Sequence, residues 1–486
     1  MPLKTVSIIS IAIFALLALL HSWLLPFSAD EAHYALYGKL LDWSYFDHPP
    51  MVGWLQSISL LWGESELALR ILPILLSALS LGLLFKLSRE EFGEKTALLT
   101  LLLFISAPIL QILPFGMIPE TPLILCGLLN IWILKRLIKN NGETLSDWLL
   151  LGLILGAAGL SKYTGITLAF STFIALYIHF KMSLTRQFGF YLAGAIAGLC
   201  IIPIIYWNIN NDWISILYQL NHSAGKAEYS LLAASTMQVT QLASYGPLLY
   251  ILGLVVIITQ LKSKLNNKLN NKQINLWLIF ALPILILFSF LSAKGRSLPH
   301  WTELGVIFMM PLIAQFILAS WGKKSKNKGK KTLIISLASL TLLLTLVVQV
   351  LLTVPKIQFD DYSHPLADLK GWKEISQQMQ QQAQPGDSIF IPNWSHASRV
   401  AWYARPLPVK VLDTRFDQFD LWFGSAEAGD SGLVLLNASR KGFKEKSLKK
   451  FEHCEFSSEL EIKIESSMVN HFKVYRCSNY LDAINK

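Results

Sequence analysis

Charge is scarce in this chain. Only 15% of its 486 residues are Asp, Glu, Lys or Arg, where a soluble domain carries about a quarter. Apolar residues make up 53%, and the mean hydropathy is +0.45. That balance excludes a disordered chain and an ordinary water-soluble enzyme. Four cysteines are too few for a disulfide framework. In residues 356–486 no Gly-rich phosphate loop precedes a predicted helix, so nucleotide binding there has no support. An internal repeat, which many transporters carry, is also missing. What remains is a polytopic helical membrane protein.

The net charge of +10 would suggest nucleic acid if it were gathered on a soluble face. It is not. Residues 356–486 hold 17 basic and 17 acidic residues, so the excess belongs entirely to residues 1–355, with 25 basic and 15 acidic. Eleven apolar runs lie in that part, at about 6–26, 67–86, 96–113, 116–134, 148–161, 164–180, 188–206, 245–261, 274–292, 303–321 and 332–354. Lipid satisfies no backbone polar group, so such runs must be helices. The first leads into Pro26-Phe27 rather than a small-residue cleavage site and reads as a span.

Connections on one side of these runs collect 19 Lys and Arg; those on the other collect five. The positive-inside rule then puts the N-terminus in the cytoplasm and the tail outside, in a periplasm if the cell has one. The basic loops become topology anchors facing anionic lipid, and nucleic acid is not needed. The segment 264–272 (LNNKLNNKQ) reads as a cytoplasmic linker.

The tail, 356–486, reads as a separate extracytoplasmic α/β domain. A helix is predicted over 364–384, and short buried strands over 388–391, 409–412 and 432–436. A final strand pair follows at about 459–465 and 469–476. Cys454 and Cys477 flank that pair in an oxidising compartment, so they are predicted to form one disulfide. Cys126 and Cys200 fall in spans and are predicted to stay free. The polar-aromatic run Arg415–Asp420 reads as a structural turn, and the tail is expected to serve acceptor choice or a lid without holding the catalytic base.

Charged groups on the outer side are few, and five clusters stand out. Ser28-Ala29-Asp30-Glu31 follows the first span; it reads as a capping box, as a surface general base, or as both. Tyr45–Pro50 (YFDHPP) closes the same loop, 27–66, and offers His48. Glu120, in Pro119-Glu120-Thr121-Pro122, is a carboxylate at the edge of a span, a costly place that usually marks function. Lys162 and Tyr163, in Ser161–Gly165, and Lys294 and Arg296, before Pro299-His300-Trp301, put cations outside against the prevailing bias. They read as snorkelling side chains or, together with the carboxylates, as a site for an anionic, phosphorylated lipid head group.

In this order the five clusters resemble the GT-C type glycosyltransferases that use polyprenyl-phosphate sugars. The likeness is to the protein O-mannosyltransferase superfamily and its bacterial branch, which includes the aminoarabinose transferases acting on lipid A. The family's Asp-Glu pair is met by Asp30-Glu31, its charged residue before Pro-Pro by His48, and its second acid by Glu120-Thr121-Pro122. The lysine turn corresponds to Gly159–Gly165, and the later lysine-proline loop to Lys294–Pro299. The chain departs from the aminoarabinose branch by having His33 where Arg is usual and His48 where Lys is usual, both at head-group positions.

The resemblance implies an inverting transfer of a sugar from a polyprenyl-phosphate donor to a lipid, glycan or protein acceptor. Asp30 would be the base; Glu31 and Glu120 would share the catalytic site. His33, His48, Lys162, Tyr163, Lys294 and Arg296 would bind donor and phosphate. No cofactor is certain. His33 and His48 beside Asp30 and Glu120 leave a divalent metal open, with His48 and Glu120 as the candidate ligands, although no metal-spacing motif is present. A transporter or lipid flippase, and an envelope scaffold, are the rival readings.

Overall fold

A computed structural model of the chain describes residues 3–224, 228–265, 275–295, 297–321, 328–354, 357–439 and 445–481. Arg296, Lys226 and most of the 264–272 linker lie outside the described residues.

Among those described, six helices are long and apolar enough to cross a membrane: Leu3–Leu24, Glu66–Phe92, Glu120–Lys139, Tyr163–Arg186, Pro299–Trp321 and Lys328–Thr353. Three further pairs meet the test only as bent units: Glu94–Ile105 with Pro108–Phe115, Phe188–Cys200 with Ile202–Asn210, and Leu231–Tyr245 with Pro247–Lys262, bent by 79°, 40° and 115°. A proline stands at or near each break, at Pro108, Pro203 and Pro247, where the missing N–H and the ring disfavour a continuous helix. The apolar runs at 148–161 and 274–292 become 17-residue helices, Leu145–Ser161 and Leu276–Ser292. The protein is thus a multi-helix membrane protein with a C-terminal sheet domain.

The chain divides into two compact units. The first comprises Met1–Leu19, Trp43–Val52 and Arg70–Gln349. Its core is a continuous set of buried Leu, Ile and Phe from most of the apolar helices, with Trp148 and Trp277 fully enclosed.

The second unit joins Leu20–Asp42 and Gly53–Leu69 to Val350–Lys486. Its sheet has five strands: β1 (Ser388–Ile391), β2 (Val409–Val411), β3 (Gly432–Asn437), β4 (Phe451–Ile464) and β5 (Ser467–Tyr480), in the order β2-β1-β3-β5-β4. The first three are parallel, and β5 and β4 are added antiparallel. β1 and β3 read as unbroken apolar runs because the core encloses them.

Two sequence-based boundaries shift. The helix predicted from 364 begins at Trp372. Pro365 breaks the earlier stretch, and Gly371 takes φ 86°, a left-handed turn that a side chain would strain and that would drive a Cβ to 2.8 Å of Phe472. The closing hairpin is far longer than predicted, 14 residues a strand. β4 is largely exposed, so its polar residues hide the strand signal.

In the same unit the helix Ala29–Lys39 is buried almost all round, from Glu31 to Gly38. Its Ala32, Ala35 and Leu36 share one core with Trp372, Ile375, Val400, Ala401 and Phe419 of the tail. At Gly38 a Cβ would come within 2.9 Å of the Gln56 backbone, so only glycine permits this approach to Met51–Ser59.

Candidate active site

The two acids of the first cluster have different surroundings. Ser28 caps the helix Ala29–Lys39 in a complete capping box. The Ser28 N–H donates to Glu31 Oε2 at 3.1 Å, the Ser28 hydroxyl donates to the same oxygen at 3.0 Å, and the Glu31 N–H donates to Ser28 Oγ at 3.3 Å. Glu31 is buried, with 6% exposure. It holds the helix end, and the adjacent Asp30 sits one residue into the first turn, where the helix dipole favours a carboxylate.

His33 lies one turn on and is enclosed by aromatic rings. Tyr37, Trp422, Trp394, Phe419 and Tyr34 have centroids 5.0–5.9 Å from its own. Its Nδ1 is 3.3 Å from Ser398 Oγ. This burial suits a ring that fixes the helix against the tail.

The first unit brings together a second group. Glu120 opens the helix Glu120–Lys139 and is 4% exposed. The Lys162 ammonium donates to Glu120 Oε1, and His300 Nε2 stands 3.7 Å from that oxygen. Lys162 also lies over the Trp301 ring, 5.7 Å from its centroid. His48 acts electrostatically on Glu120 as well. A buried ion pair of this kind is affordable only with close geometry and further polar neighbours, which are present here.

The loop carrying His48 is clamped from one side. Tyr45 N–H donates to the His48 carbonyl at 3.1 Å, closing the turn ahead of Pro49-Pro50. Gln219 donates to the Asp47 carbonyl at 2.6 Å, and Phe46 packs on Tyr218 at 4.5 Å. Both contacts come from the helix Ile214–Ala224. Tyr163 bonds Ser215 of the same helix at 2.6 Å.

The structure therefore gathers His48, Glu120 and Lys162, bonds Tyr163 to the clamping helix, and assigns Asp30, Glu31 and His33 to the other unit. Lys294 lies over the Tyr229 ring at 5.3 Å. Among the described residues no three His, Cys, Asp or Glu side chains are grouped to hold a metal ion. Cys454 and Cys477 face each other across β4 and β5 and are joined, while Cys126 and Cys200 are free. Asp417 and Asp420 form the capping box of a short helix, Gln418–Phe423, with Arg415 3.1 Å from Asp417.

Two members of the site escape the sequence reading: His300, the neighbour of Glu120, and Glu303, buried at 2% exposure and acting electrostatically with Glu120 and Lys162. A lone acid opening an apolar run was the available signal for Glu303.

Apolar helices that hold a buried carboxylate–lysine pair, followed by a mixed-sheet domain, define a multi-helix membrane protein with a C-terminal α/β domain. Residues 47–207 match the family model described as dolichyl-phosphate-mannose-protein mannosyltransferase. The chain is 21% identical over 302 residues to the lipid A galacturonosyltransferase RgtD of Rhizobium johnstonii, covering 61% of this chain and 60% of that protein. It thus spans about three-fifths of the length of this curated relative. Its fold is similar to that of ArnT from Cupriavidus metallidurans bound to undecaprenyl phosphate, with TM-score 0.65 and 13% identity over 96% of this chain and 97% of that one. It is also similar to the apo oligosaccharyltransferase of Archaeoglobus fulgidus, with TM-score 0.52 and 14% identity over 89% and 69% of the two chains.

Proposed function

We propose that the protein is an inverting membrane glycosyltransferase that moves a sugar from a polyprenyl-phosphate donor to an acceptor of the cell envelope. The observation that carries this reading is the enclosed Glu120–Lys162 pair with His48 and His300, built into a GT-C fold. Such a cluster offers fixed N–H donors in a water-poor setting, where they act more strongly than in bulk water. A lipid phosphate leaving group needs that.

In the proposed reaction an acceptor hydroxyl attacks the anomeric carbon. Asp30 accepts the hydroxyl proton as the new C–O bond forms. The bond from the anomeric carbon to the phosphate oxygen breaks, and the polyprenyl phosphate leaves with that electron pair. Lys162, supported by His48, stabilises the phosphate; Lys294 and Arg296 receive the head group from their loop. Lipid A is the first acceptor to test because the similar Rhizobium protein is named for it. Undecaprenyl phosphate is the first carrier because the similar Cupriavidus protein binds it.

The reading includes a topology. The six long helices, the three bent pairs and the two 17-residue helices make eleven spans. The N-terminus is then cytoplasmic, and 356–486 forms a periplasmic domain of the inner membrane. A C-terminal alkaline phosphatase fusion should be active, and an inactive fusion rejects this orientation.

The deciding experiment incubates purified protein with undecaprenyl-phosphate-linked sugars and lipid A, followed by mass spectrometry of both lipids. Release of undecaprenyl phosphate with matching glycosylation of lipid A supports the reading. Movement of the intact donor across proteoliposomes without consumption would instead favour the flippase.

A further inference from the structure

Glu303 takes no part in the proposed reaction. It opens the α-helix Glu303–Trp321 and is 2% exposed. Its Oε2 is buried with no hydrogen-bond partner among the described residues. An unpaired buried carboxylate oxygen is costly, and native proteins complete such a group with an ion, a water or a ligand.

The Glu303 side chain lines a cavity of about 20 Å³ in the first unit, room for a water-sized guest. Three hydroxyl residues line it as well: Ser77 and Ser80, one turn apart on the helix Glu66–Phe92, and Thr121, second residue of the helix Glu120–Lys139. Each hydroxyl proton is already given to a backbone carbonyl. Ser77 donates to Pro114 at 3.0 Å, Ser80 to Leu76 at 2.9 Å and Thr121 to Gly116 at 3.3 Å. A hydroxyl has one proton and two lone pairs, so these three have only lone pairs left to offer a guest.

The rest of the lining is apolar, and among the described residues no Lys, Arg or His lines the cavity. Lys162, the cation of the neighbouring cluster, donates to Glu120 instead. The cavity is therefore a set of oxygen acceptors around one uncompensated carboxylate. Oxygen donors of this kind suit hard cations. A single carboxylate supplies one negative charge, which a monovalent ion neutralises; a divalent ion would leave a buried positive excess.

We propose that this cavity binds a monovalent cation of sodium's size, held by Glu303 with the hydroxyl oxygens of Ser77, Ser80 and Thr121. The ion neutralises Glu303 and ties together the three helices that supply these side chains. Thr121 adjoins Glu120 in sequence, so the ion also steadies the helix end that carries the Glu120–Lys162 pair. The site stands apart from the glycosyltransferase reading, and its tests need no sugar transfer.

The first test is thermal unfolding of the purified full-length protein in detergent, with sodium chloride replaced stepwise by choline chloride at constant ionic strength and pH. The melting temperature should rise saturably with sodium, by about 2–4 °C, and less with potassium. Direct binding of radioactive sodium should reach one ion per chain. Glu303→Gln keeps the shape and removes the charge, so it should lose both the sodium-dependent rise and the bound ion. Ser77→Ala should move the sodium midpoint about 10-fold higher, whatever it does to the melting temperature itself. If Glu303→Gln does not fold, Ser77→Ala decides, and an unchanged midpoint overturns the proposal. Equal melting temperatures in sodium and choline without bound sodium also overturn it, and assign Glu303 a proton and a water instead. Retention of the sodium effect by a folded Glu303→Gln places the ion elsewhere and rejects this site.

Discussion

Lys162 sets its ammonium on Glu120 Oε1 while the two side chains are only 10% and 5% exposed. Removing one partner of a buried pair strands the other charge, which typically costs about 3–5 kcal/mol, whereas removing both is far milder. Glu120→Gln and Lys162→Gln should each markedly lower the melting temperature in detergent, and the double variant should melt above at least one of the singles. Additive losses across the three variants would mean that the pair contributes no coupling.

Much of this architecture was legible because lipid makes helices obligatory: the apolar runs at 6–26, 67–86 and 303–321 correspond to Leu3–Leu24, Glu66–Phe92 and Pro299–Trp321. The bends were less legible, since hydropathy is blind to the direction of a helix axis. The core strands β1 and β3 were plain for the opposite reason to β4: they are enclosed on both faces, and β4 is not. Glu120 and Lys162 were visible singly as charges in costly places. Their pairing, 42 residues apart, was not, because no periodicity links them.

Asp417 offers a pH test in the C-terminal domain. Burial pushes its carboxyl above the usual aspartate value of 3.8, while the Phe419 amide and Arg415 pull it back. A carboxyl with a raised folded-state pKa favours the native state in acid, and that contribution is lost as pH rises from 3.8 through the folded value. Asp417→Asn, which still caps the helix, should remove this dependence and be no less stable than wild type at neutral pH. Asp417→Ala, which cannot cap, should lose about 1 kcal/mol. Urea unfolding of the full-length protein in detergent, run from acid to neutral pH, measures both; an unchanged pH slope in Asp417→Asn would contradict the assignment.

The Cys454–Cys477 link closes a loop with a sequence separation of 23. Restricting the unfolded chain over such a loop contributes about 3 kcal/mol in the entropic model. Reductant, or a Cys454→Ser/Cys477→Ser double substitution, should therefore lower the melting temperature of the C-terminal domain. Mass spectrometry after alkylation of the folded protein should find both residues protected until reductant is added. Labelling of both without reductant would refute the pairing.

Asp30 and Glu31 adjoin in sequence but should separate in function. Glu31 spends its carboxylate on Ser28 in the capping box, so Glu31→Gln, which preserves the hydrogen-bonding shape, should cost no more than about 1 kcal/mol of stability and leave most of the turnover. Asp30 lies in the same first turn without that capping role. General-base assistance is worth roughly 10²–10⁴-fold in rate, and Asp30→Asn retains the size of the side chain while removing its basicity. Its kcat should fall by about that factor, with melting behaviour close to wild type. The assay is donor turnover by purified protein beside a thermal unfolding scan of the same preparation. If Asp30→Asn turns over normally, the proton is taken elsewhere. Glu120 would be the next carboxylate to substitute, and the loss of stability expected there distinguishes a structural defect in that variant from a chemical one.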